Sequence, residues 1–233
     1  MSISLHRPSR RSFRPRFQRV QPTSRLLLGA LLLTGSIAFT AQAQTAAPVT
    51  GLDKQLDRMD LAVSGGGYFN SATAGNNEEG VYVTNTPGNT LGALVTIRYT
   101  PKPYFGLEFN FGYARYTQNY SNTGGIQANE DEFTLGYVAH PPVNFGGLKP
   151  FIAVGLGTTE FKPTRGGGEG LPLQARASYY GALGADYMVS PHIGLRAQYR
   201  ETIELAPDFL QNYLTILKRT HTAEPAFGFF LKF

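Results

Sequence analysis

The last stretch of the chain, Glu224-Pro225-Ala226-Phe227-Gly228-Phe229-Phe230-Leu231-Lys232-Phe233, decides the fold. Positions 227, 229, 231 and 233 are all large and apolar, while the positions between them include a glycine and a lysine. A two-residue period of this kind is typical of a β-strand with two unlike faces. A strand of a soluble sandwich rarely finishes on an exposed aromatic residue, whereas a membrane barrel places such a residue in its interfacial girdle. The stretch therefore predicts the final strand of a membrane β-barrel.

The residues Gly228-x-x-Leu231-x-Phe233 resemble the C-terminal assembly signal of bacterial outer-membrane β-barrels. In that signal a glycine precedes two alternating hydrophobic or aromatic positions, and the chain then stops. The sequence departs from the pattern at Ala226, where the signal usually carries a polar residue. The resemblance implies that the barrel-assembly machinery recognises this chain, with Gly228, Leu231 and Phe233 as the residues of the signal.

The N-terminal residues predict an export signal. Residues 1–25 contain seven arginines and no acidic residue, residues 26–39 form an apolar run, and Ala41-Gln42-Ala43 offers small residues at a cleavage site. The apolar run is too short for a transmembrane helix, which needs about 20 apolar residues. The pattern predicts a signal peptide over residues 1–43 that is removed after export by the general secretory route.

Removal of the signal peptide reverses the sign of the net charge. The whole chain has 21 basic and 16 acidic residues; seven of the basic residues lie in the signal, which leaves 14 against 16 and a net charge of −2. The basic character of the chain therefore belongs to the export signal. A nucleic-acid partner is not expected, because it requires a basic stripe on the working domain.

The residue types that would carry metal or disulfide chemistry are scarce. The chain contains no cysteine, which excludes a disulfide framework and thiolate metal sites. No two histidines have the spacing of metal ligands, so neither a metal nor another cofactor is expected. Residues 44–58 are predicted to form a periplasmic lead-in with a turn of helix near residues 52–58, and residues 59–233 a single barrel domain.

The segment from Phe105 to Ala114 shows the barrel alternation most clearly. Every odd position from 105 to 113 is large and apolar, and the even positions are glycine, alanine or polar residues. Soluble antiparallel sheets alternate as well, but here aromatic residues mark the strand ends while Glu108 and Asn110 lie inside the run. This composition favours an apolar face toward lipid and a polar face toward a lumen.

The same alternation recurs along the chain and predicts eight strands joined by unequal connections. Short turns that alternate with long loops are typical of a transmembrane barrel with periplasmic turns and extracellular loops. The predicted strands are 61–69, 91–99, 105–114, 133–139, 151–161, 177–187, 193–200 and 224–233. The predicted long loops are 71–89, 118–131, 162–174 and 202–219.

The last long connection differs from the other three because it is rich in apolar residues. Pro207 and Asp208 would start a helix, and the apolar residues that follow fall on one helical stripe. A short surface helix is one interpretation, and an extension of the seventh and eighth strands beyond the membrane is the other. The stripe consists of Phe209, Leu210, Tyr213, Leu214 and Leu217.

The segment from Gly184 through Ser190-Pro191-His192 to Arg200 resembles the eight-stranded bacterial outer-membrane barrels, namely the OmpA-type transmembrane barrel and its small relatives. The resemblance implies an all-β fold, an eight-stranded antiparallel up-and-down transmembrane barrel with short periplasmic turns and long extracellular loops. It also implies that the protein lies in the cell outer membrane. No peptidoglycan-binding domain follows the predicted barrel, so a cell-wall tether is not implied.

The inward-facing residues decide whether such a barrel is plugged or open. Eight strands leave an interior just wide enough for side chains to fill. An unpaired charge buried there would cost several kcal/mol, so paired charges are expected, with Asp186 opposite Arg196 and Arg98 one diagonal step from Glu108. The strand alternation predicts a lumen charge network of Arg98, Glu108, Asp186, Arg196 and Arg200.

The sequence favours a structural or surface-interaction role without enzymatic activity. We expect a monomer in outer-membrane lipid whose loops contact lipopolysaccharide, a host or a phage. The alternative is a small passive porin or a lipid-modifying enzyme. An enzyme of that kind would need a serine, a histidine and an acid near the outer rim. Only His221 lies near the predicted outer end, with no serine close in sequence, so no catalytic residue is assigned.

Overall fold

A computed structural model describes residues 51–233. The predicted signal peptide and the first part of the predicted lead-in lie outside the described residues. The described chain begins with a short helix, α1 (Gly51–Leu56), which confirms the expected helical turn before the barrel. Within residues 51–233, no helix combines the length and the apolar character needed to cross a bilayer.

Ten strands follow α1, and eight of them form a closed antiparallel barrel. Each barrel strand pairs with the next barrel strand along the chain, and the last pairs with the first. The predicted fold class is therefore confirmed. In chain order the strands are β1 (Met59–Asn70), β2 (Thr73–Asn76), β3 (Tyr82–Pro87), β4 (Thr90–Lys102), β5 (Phe105–Tyr120), β6 (Gly124–Ala139), β7 (Leu148–Pro163), β8 (Gln174–Met188), β9 (Ile193–Leu205) and β10 (Arg219–Lys232).

The two faces of each barrel strand meet different surroundings, as the alternation predicts. On β5, Phe109 is 41% exposed on the outer face, whereas its neighbours Glu108 and Asn110 are 4% and 3% exposed. On β7, Ile152 is 56% exposed and Phe151 only 1%. Large apolar residues thus cover the outside of the barrel, and its inside holds most of the charged and polar residues of the strands together with buried rings such as that of Phe151. This is the reverse of a soluble protein and fits a barrel surrounded by lipid.

The barrel has a turn end and a loop end. At the turn end lie the start of β1, the end of β10 and the connections 103–104, 140–147 and 189–192. At the loop end lie the connections between β1 and β4, β5 and β6, β7 and β8, and β9 and β10. The first of these connections contains β2 and β3, which form a hairpin whose second strand pairs with the end of β5.

The prediction of a polar loop over 118–131 is wrong. Strand β5 continues to Tyr120 and β6 begins at Gly124, with an unbroken register between them. The polar residues of this segment fit a strand because the lumen is polar on its inner side. Gln118 and Glu130, for example, are 1% and 4% exposed. Polarity therefore marks an inward face here and not a loop.

The prediction of a surface helix over 207–218 is also wrong. The segment contains only one 3₁₀ turn, at Asn212–Leu214, and the flanking strands do not extend into it. Phe209, Leu210 and Leu217 have positive φ values of 50°, 58° and 54°, a conformation that interrupts a right-handed helix. The residues of the predicted stripe do not share one face: Phe209 is fully buried, whereas Leu210 is 67% exposed.

Candidate functional site: the filled lumen

Four of the predicted lumen charges form two ion pairs near the turn end. They lie on the inward faces of β4, β5, β8 and β9. Arg98 lies directly opposite Glu108 in the register of β4 and β5, not one diagonal step away as expected. Its Nη2 donates to Glu108 Oε2 at 2.8 Å. Arg196 lies opposite Asp186, and its Nε and Nη2 donate to the two carboxylate oxygens at 2.7 and 2.9 Å. The second pair is bidentate, the strongest arrangement for arginine and a carboxylate.

The two ion pairs are joined into one network. Arg98 Nη1 lies 3.3 Å from Asp186 Oδ2. Arg196 Nη2 also lies 3.1 Å from Asp60 Oδ1 on β1. Asp60 was not among the predicted residues, although the alternation along β1 places it on the inner face, where it pairs with Arg98 in the register of β1 and β4. The turn-end charge layer therefore consists of Asp60, Arg98, Glu108, Asp186 and Arg196.

Aromatic rings and hydroxyl groups complete the turn-end layer. The guanidinium of Arg98 lies 4.3 Å from the ring centre of Phe151, and that of Arg196 lies 4.9 Å from Phe230. Both distances are within the range of cation–π attraction. Glu108 Oε1 accepts a hydrogen bond of 2.8 Å from the Tyr180 hydroxyl. Each charged group of the layer thus has an ion-pair partner, whereas one buried nitrogen, Arg196 Nη1, has no hydrogen-bond partner in the described part of the chain.

Arg200 belongs to a second layer, closer to the loop end. Its Nη1 donates to Glu132 Oε2 at 2.7 Å and to Glu224 Oε2 at 2.9 Å, and its Nη2 contacts Glu132 Oε1. The ring of Tyr180 lies 4.4 Å from the guanidinium carbon. Both partners were missed in the sequence. Glu132 adjoins the segment predicted as a loop, and Glu224 is the first residue of the predicted last strand.

The Arg200 layer contains more carboxyl groups than cations. Glu130 and Glu204 are 4% and 3% exposed and join Glu132 and Glu224 there. The hydroxyl of Tyr116 donates to Glu130. The layer therefore holds four carboxyl groups and one guanidinium, which binds two of them, Glu132 and Glu224. Among residues 51–233, no group of three or more acidic, histidine or cysteine side chains is arranged to hold a metal ion.

A lid closes the loop end of the barrel. Phe209, Leu214 and Ile216 of the connection 206–218 are buried in an apolar cluster together with side chains from the barrel and the hairpin. Tyr213 in the same connection accepts hydrogen bonds through its backbone oxygen from Asn77 and Asn122, at 3.0 and 2.8 Å. The other members of the cluster are Tyr68, Val83, Ala114, Tyr116, Tyr120, Ile126, Ala128 and Phe161.

Asp208 anchors the lid to the barrel wall. Its carboxylate accepts hydrogen bonds from Gln174 at 2.5 Å, Thr215 at 3.0 Å and the Leu210 backbone at 3.0 Å, and it forms an ion pair of 2.7 Å with Arg176. Burial raises the pKa of the Asp208 carboxyl, but these hydrogen bonds and the charge of Arg176 outweigh burial, so its pKa lies below the ordinary value. The anchor is therefore ionised at neutral pH.

His140 lies just beyond the end of β6, at the turn end. Its Nε2 is 3.5 Å from Arg98 Nη1. Burial, followed by the positive charge of Arg98, lowers the pKa of His140 to about 4. The imidazole is therefore neutral at pH 7 and adds no charge to the layer beneath it.

His221 lies on the outer face of β10 near the loop end. Its Nδ1 is 3.0 Å from Glu201 Oε1, and both side chains are about half exposed, at 48% and 44%. The backbone N–H of Ser71 donates to the His221 carbonyl at 2.8 Å, so Ser71 is the neighbour of His221 across the strands. Within the described part of the chain, no hydrogen bond joins the Ser71 hydroxyl to His221. This serine is distant in sequence and was missed for that reason.

The three residues of the predicted assembly signal occupy the closing strand. Gly228 lies on the inner face, where a Cβ atom would overlap the Val63 carbonyl and lie 2.5 Å from Ser64 Cα. Leu231 faces outward at 41% exposure, and Phe233 is half exposed at the turn end. Gly228 is thus required by the close approach of β1 and β10. Recognition of these residues by assembly machinery stays a prediction.

Comparisons with known proteins agree with this geometry. A family model for the outer membrane protein β-barrel domain matches residues 29–215. The structure is similar to that of OprG from Pseudomonas aeruginosa, with a TM-score of 0.55, 15% identity, and coverage of 75% of this chain and 95% of that one. It is also similar to Neisserial surface protein A, with a TM-score of 0.51, 13% identity, and coverage of 75% and 97%. At these identities the likeness concerns the fold alone. No curated protein sequence matches the chain.

Proposed function

Because this chain belongs to the outer membrane protein β-barrel family, we propose that it is a closed outer-membrane barrel with a structural or surface-interaction role. The single observation that carries this proposal is the filling of the lumen at three levels. The turn-end charge layer, the Arg200 layer and the apolar lid follow one another along the barrel. Each level contains side chains that are almost fully buried, namely Arg98 and Arg196 in the first, Arg200 and Glu132 in the second, and Phe209 and Leu214 in the third.

The filled lumen argues against a passive pore. Eight strands leave little space beyond that of their own side chains, and here Arg98, Arg196 and Arg200 are each 1% exposed. An ion that passes would have to break buried, charge-assisted hydrogen bonds, which are expensive to leave unmade. Uptake of small sugars by liposomes that contain the refolded protein tests this directly. We expect no uptake above empty liposomes, and uptake proportional to protein content contradicts the proposal.

The proposed role places the turn end in the periplasm and the loop end outside the cell, as is typical of the family fold. The loop end then presents large apolar side chains to the exterior, including Tyr82 at 68%, Leu210 at 67% and Leu217 at 69% exposure. Exposed apolar groups of this size are common at interaction surfaces. They support a role in contact with other surface molecules.

We further propose that lipopolysaccharide contacts the outer wall near the loop end. Arg115 and Arg219 are exposed there, and Arg219 lies 5.7 Å from the ring centre of Tyr179. Their guanidinium groups suit phosphate oxygens. Assembly by the barrel-assembly machinery, a monomeric state and cleavage of the signal peptide belong to the same proposal.

A lipid-modifying enzyme is the second candidate, favoured by the neighbouring positions of Ser71, His221 and Glu201. An acid bound to one histidine nitrogen and a serine on the other side is the arrangement used in nucleophilic acyl transfer. The missing hydrogen bond to the Ser71 hydroxyl weighs against it. Labelling of the refolded protein with a fluorophosphonate probe separates the candidates, with Ser71→Ala as the control. Labelling that disappears in Ser71→Ala supports the enzyme, and its absence in both proteins supports the structural role.

A further inference from the structure

A cavity opens at the turn end of the lumen and has no part in the proposed structural role. Its volume is about 530 Å³, within the range of sites for small molecules. Apolar side chains provide much of its wall, and they include Met59, Tyr104, Pro142, Val143, Met188 and Phe230.

The carboxylates at the floor of the cavity already have arginine partners. Asp60 and Asp186 both line the cavity, and both bind Arg196. Asp186 is also paired with Arg98. His140 lines the floor as well, but the neutral form of its ring prevails at pH 7 because its pKa is lowered to about 4. Each carboxylate at the floor therefore already has an arginine partner, which weakens its attraction for a further cation.

The charges at the rim are mostly positive and unpaired. Arg58, Lys149 and Lys232 line the cavity and are exposed. Within residues 51–233, none of these three side chains takes part in an ion pair. Asp57 is the one acid at the rim. Asp60 and Asp186 lie opposite Lys232 and Lys149 in the strand registers, but both of these acids already bind Arg196. The rim thus carries an excess of positive charge beside an apolar wall.

Two of the rim cations lie at inward-facing positions of their strands. Lys149 lies on the same face of β7 as the buried Phe151, and Lys232 lies on the same face of β10 as the buried Phe230. Lysine at an inward position at the barrel mouth keeps its ammonium group in water while its methylene stem lies against the apolar wall. Both ammonium groups are therefore available to a molecule that enters the mouth.

We propose that the turn-end cavity binds a small water-soluble organic anion with one carboxylate group and a short apolar chain. The carboxylate lies among Lys149, Lys232 and Arg58 at the rim, and the apolar chain lies against Met59, Met188 and neighbouring rings. A membrane lipid does not fit, because the cavity lies inside the ring of strands and opens along the barrel axis. The ligand reaches the cavity from the aqueous side of the turn end.

The sequence supplies two reporters at this site. The chain has three methionines, Met1, Met59 and Met188, and the last two both line the cavity. In protein prepared without the predicted signal peptide and labelled with ¹³C at the methionine and isoleucine methyl groups, the signals of Met59 and Met188 report the cavity. An isoleucine methyl signal from Ile216 in the lid serves as the distant control. The probe is sodium hexanoate, added to the protein in lipid nanodiscs, with hexylammonium chloride as the matched probe of opposite charge.

Hexanoate is expected to shift both methionine signals to saturation while Ile216 stays unchanged, and hexylammonium is expected to leave all three in place. The double variant Lys149→Gln and Lys232→Gln should weaken hexanoate binding by about three- to tenfold, since exposed charge pairs contribute modestly. Lys102→Gln, at the same end but outside the cavity lining, should leave it unchanged. Shifts that never saturate, an equal response to hexylammonium, or undiminished binding in the double variant would each overturn the proposal.

Discussion

Arg98 and Glu108 face each other directly across β4 and β5, with 2.8 Å between Nη2 and Oε2 and side-chain exposures of only 1% and 5%. The pair is not isolated, because Arg98 also lies 3.3 Å from Asp186, which binds Arg196. Two arginines thus share the carboxylates around them. Removal of one member leaves a buried charge with fewer partners, which should lower the free energy of unfolding of the barrel.

Asp186→Ala tests the network. Arg196 then keeps only Asp60 as a carboxylate partner, and Arg98 keeps Glu108. Because each arginine retains one partner, we expect a loss of about 3 kcal/mol in the free energy of unfolding, the lower end of the range for a broken buried ion pair. Urea titration of the protein in lipid bilayers measures it.

The control for this variant is Asp57→Ala, an exposed acid at the same end, which should change the free energy by less than about 0.5 kcal/mol. The double variant Asp186→Asn with Arg196→Gln should recover part of the loss, because two amides can bond to each other without a stranded charge. The single variants Asp186→Asn and Arg196→Gln complete the cycle, and a loss in the double variant equal to the sum of their two losses would show that Asp186 and Arg196 do not interact.

Gly228→Ala tests the closure of the barrel. The added methyl group would collide with the backbone of Val63 and Ser64 on β1. The strands β1 and β10 would have to move apart, which should lower the free energy of unfolding by about 3 kcal/mol or more, at the upper end of the range for overpacking. Gly65→Ala is the matched control, because a Cβ atom there meets nothing within 4 Å. The folded fraction on heat-modifiability gels should fall in the first variant only; equal fractions contradict the prediction.

Phe233→Ala separates recognition during assembly from stability. Phe233 is 50% exposed, so the refolded variant should lose no more than about 1 kcal/mol. If the terminal aromatic residue completes the predicted assembly signal, the amount of folded protein in outer-membrane fractions of cells should nevertheless fall clearly. Both quantities are measured on the same variant. Unchanged folded protein in cells would count against the assembly signal.

The stability of the lid should depend on pH through the ionisation of Asp208. The pKa of this carboxyl is lower in the folded protein than its ordinary value of 3.8, so its contribution to stability is present above that value and is lost as the pH falls through the folded pKa. The protection factors of the amides in residues 206–218, which are exchange rates corrected for the intrinsic rate at each pH, should therefore be high at pH 7 and fall, relative to those of the strands, below about pH 4. In Asp208→Asn, these protection factors should be low at both pH values. A wild-type lid with the same protection at pH 3 and pH 7 contradicts this role.

The strands could be predicted because their signal is local. Along β5, five large apolar residues at alternate positions determine which face meets lipid, and no distant contact is needed to read them. The same alternation placed Arg98 and Glu108 inside the barrel. Their direct opposition was missed because the register shifts between Tyr99 and Lys102. Pro101 lies in this interval and cannot donate to the ladder, but it does not by itself determine the size of the shift.

The loop end could not be predicted because distant residues decide its structure. Phe209 and Leu214 are buried against Val83 and Phe161, which lie far away in sequence, so a helical pattern in 207–218 gave way to tertiary packing. The polar run 118–131, which contains the end of β5 and the first half of β6, is predicted as a loop because a polar lumen face and a polar loop have the same composition. For that reason the Glu132 partner of Arg200 was also missed.

The most direct test of a closed lumen is the single-channel current of the refolded protein in planar bilayers. Two proteins are compared: the wild type, and a variant in which residues 207–217 are replaced by a short Gly-Ser linker, which removes the lid but keeps both charge layers. Because the buried networks of Arg98, Arg196 and Arg200 span the lumen below the lid, we predict flat traces for both. Reproducible current steps in the wild type would contradict a closed barrel, and steps in the lidless variant alone would show that the lid, and not the charge layers, seals it.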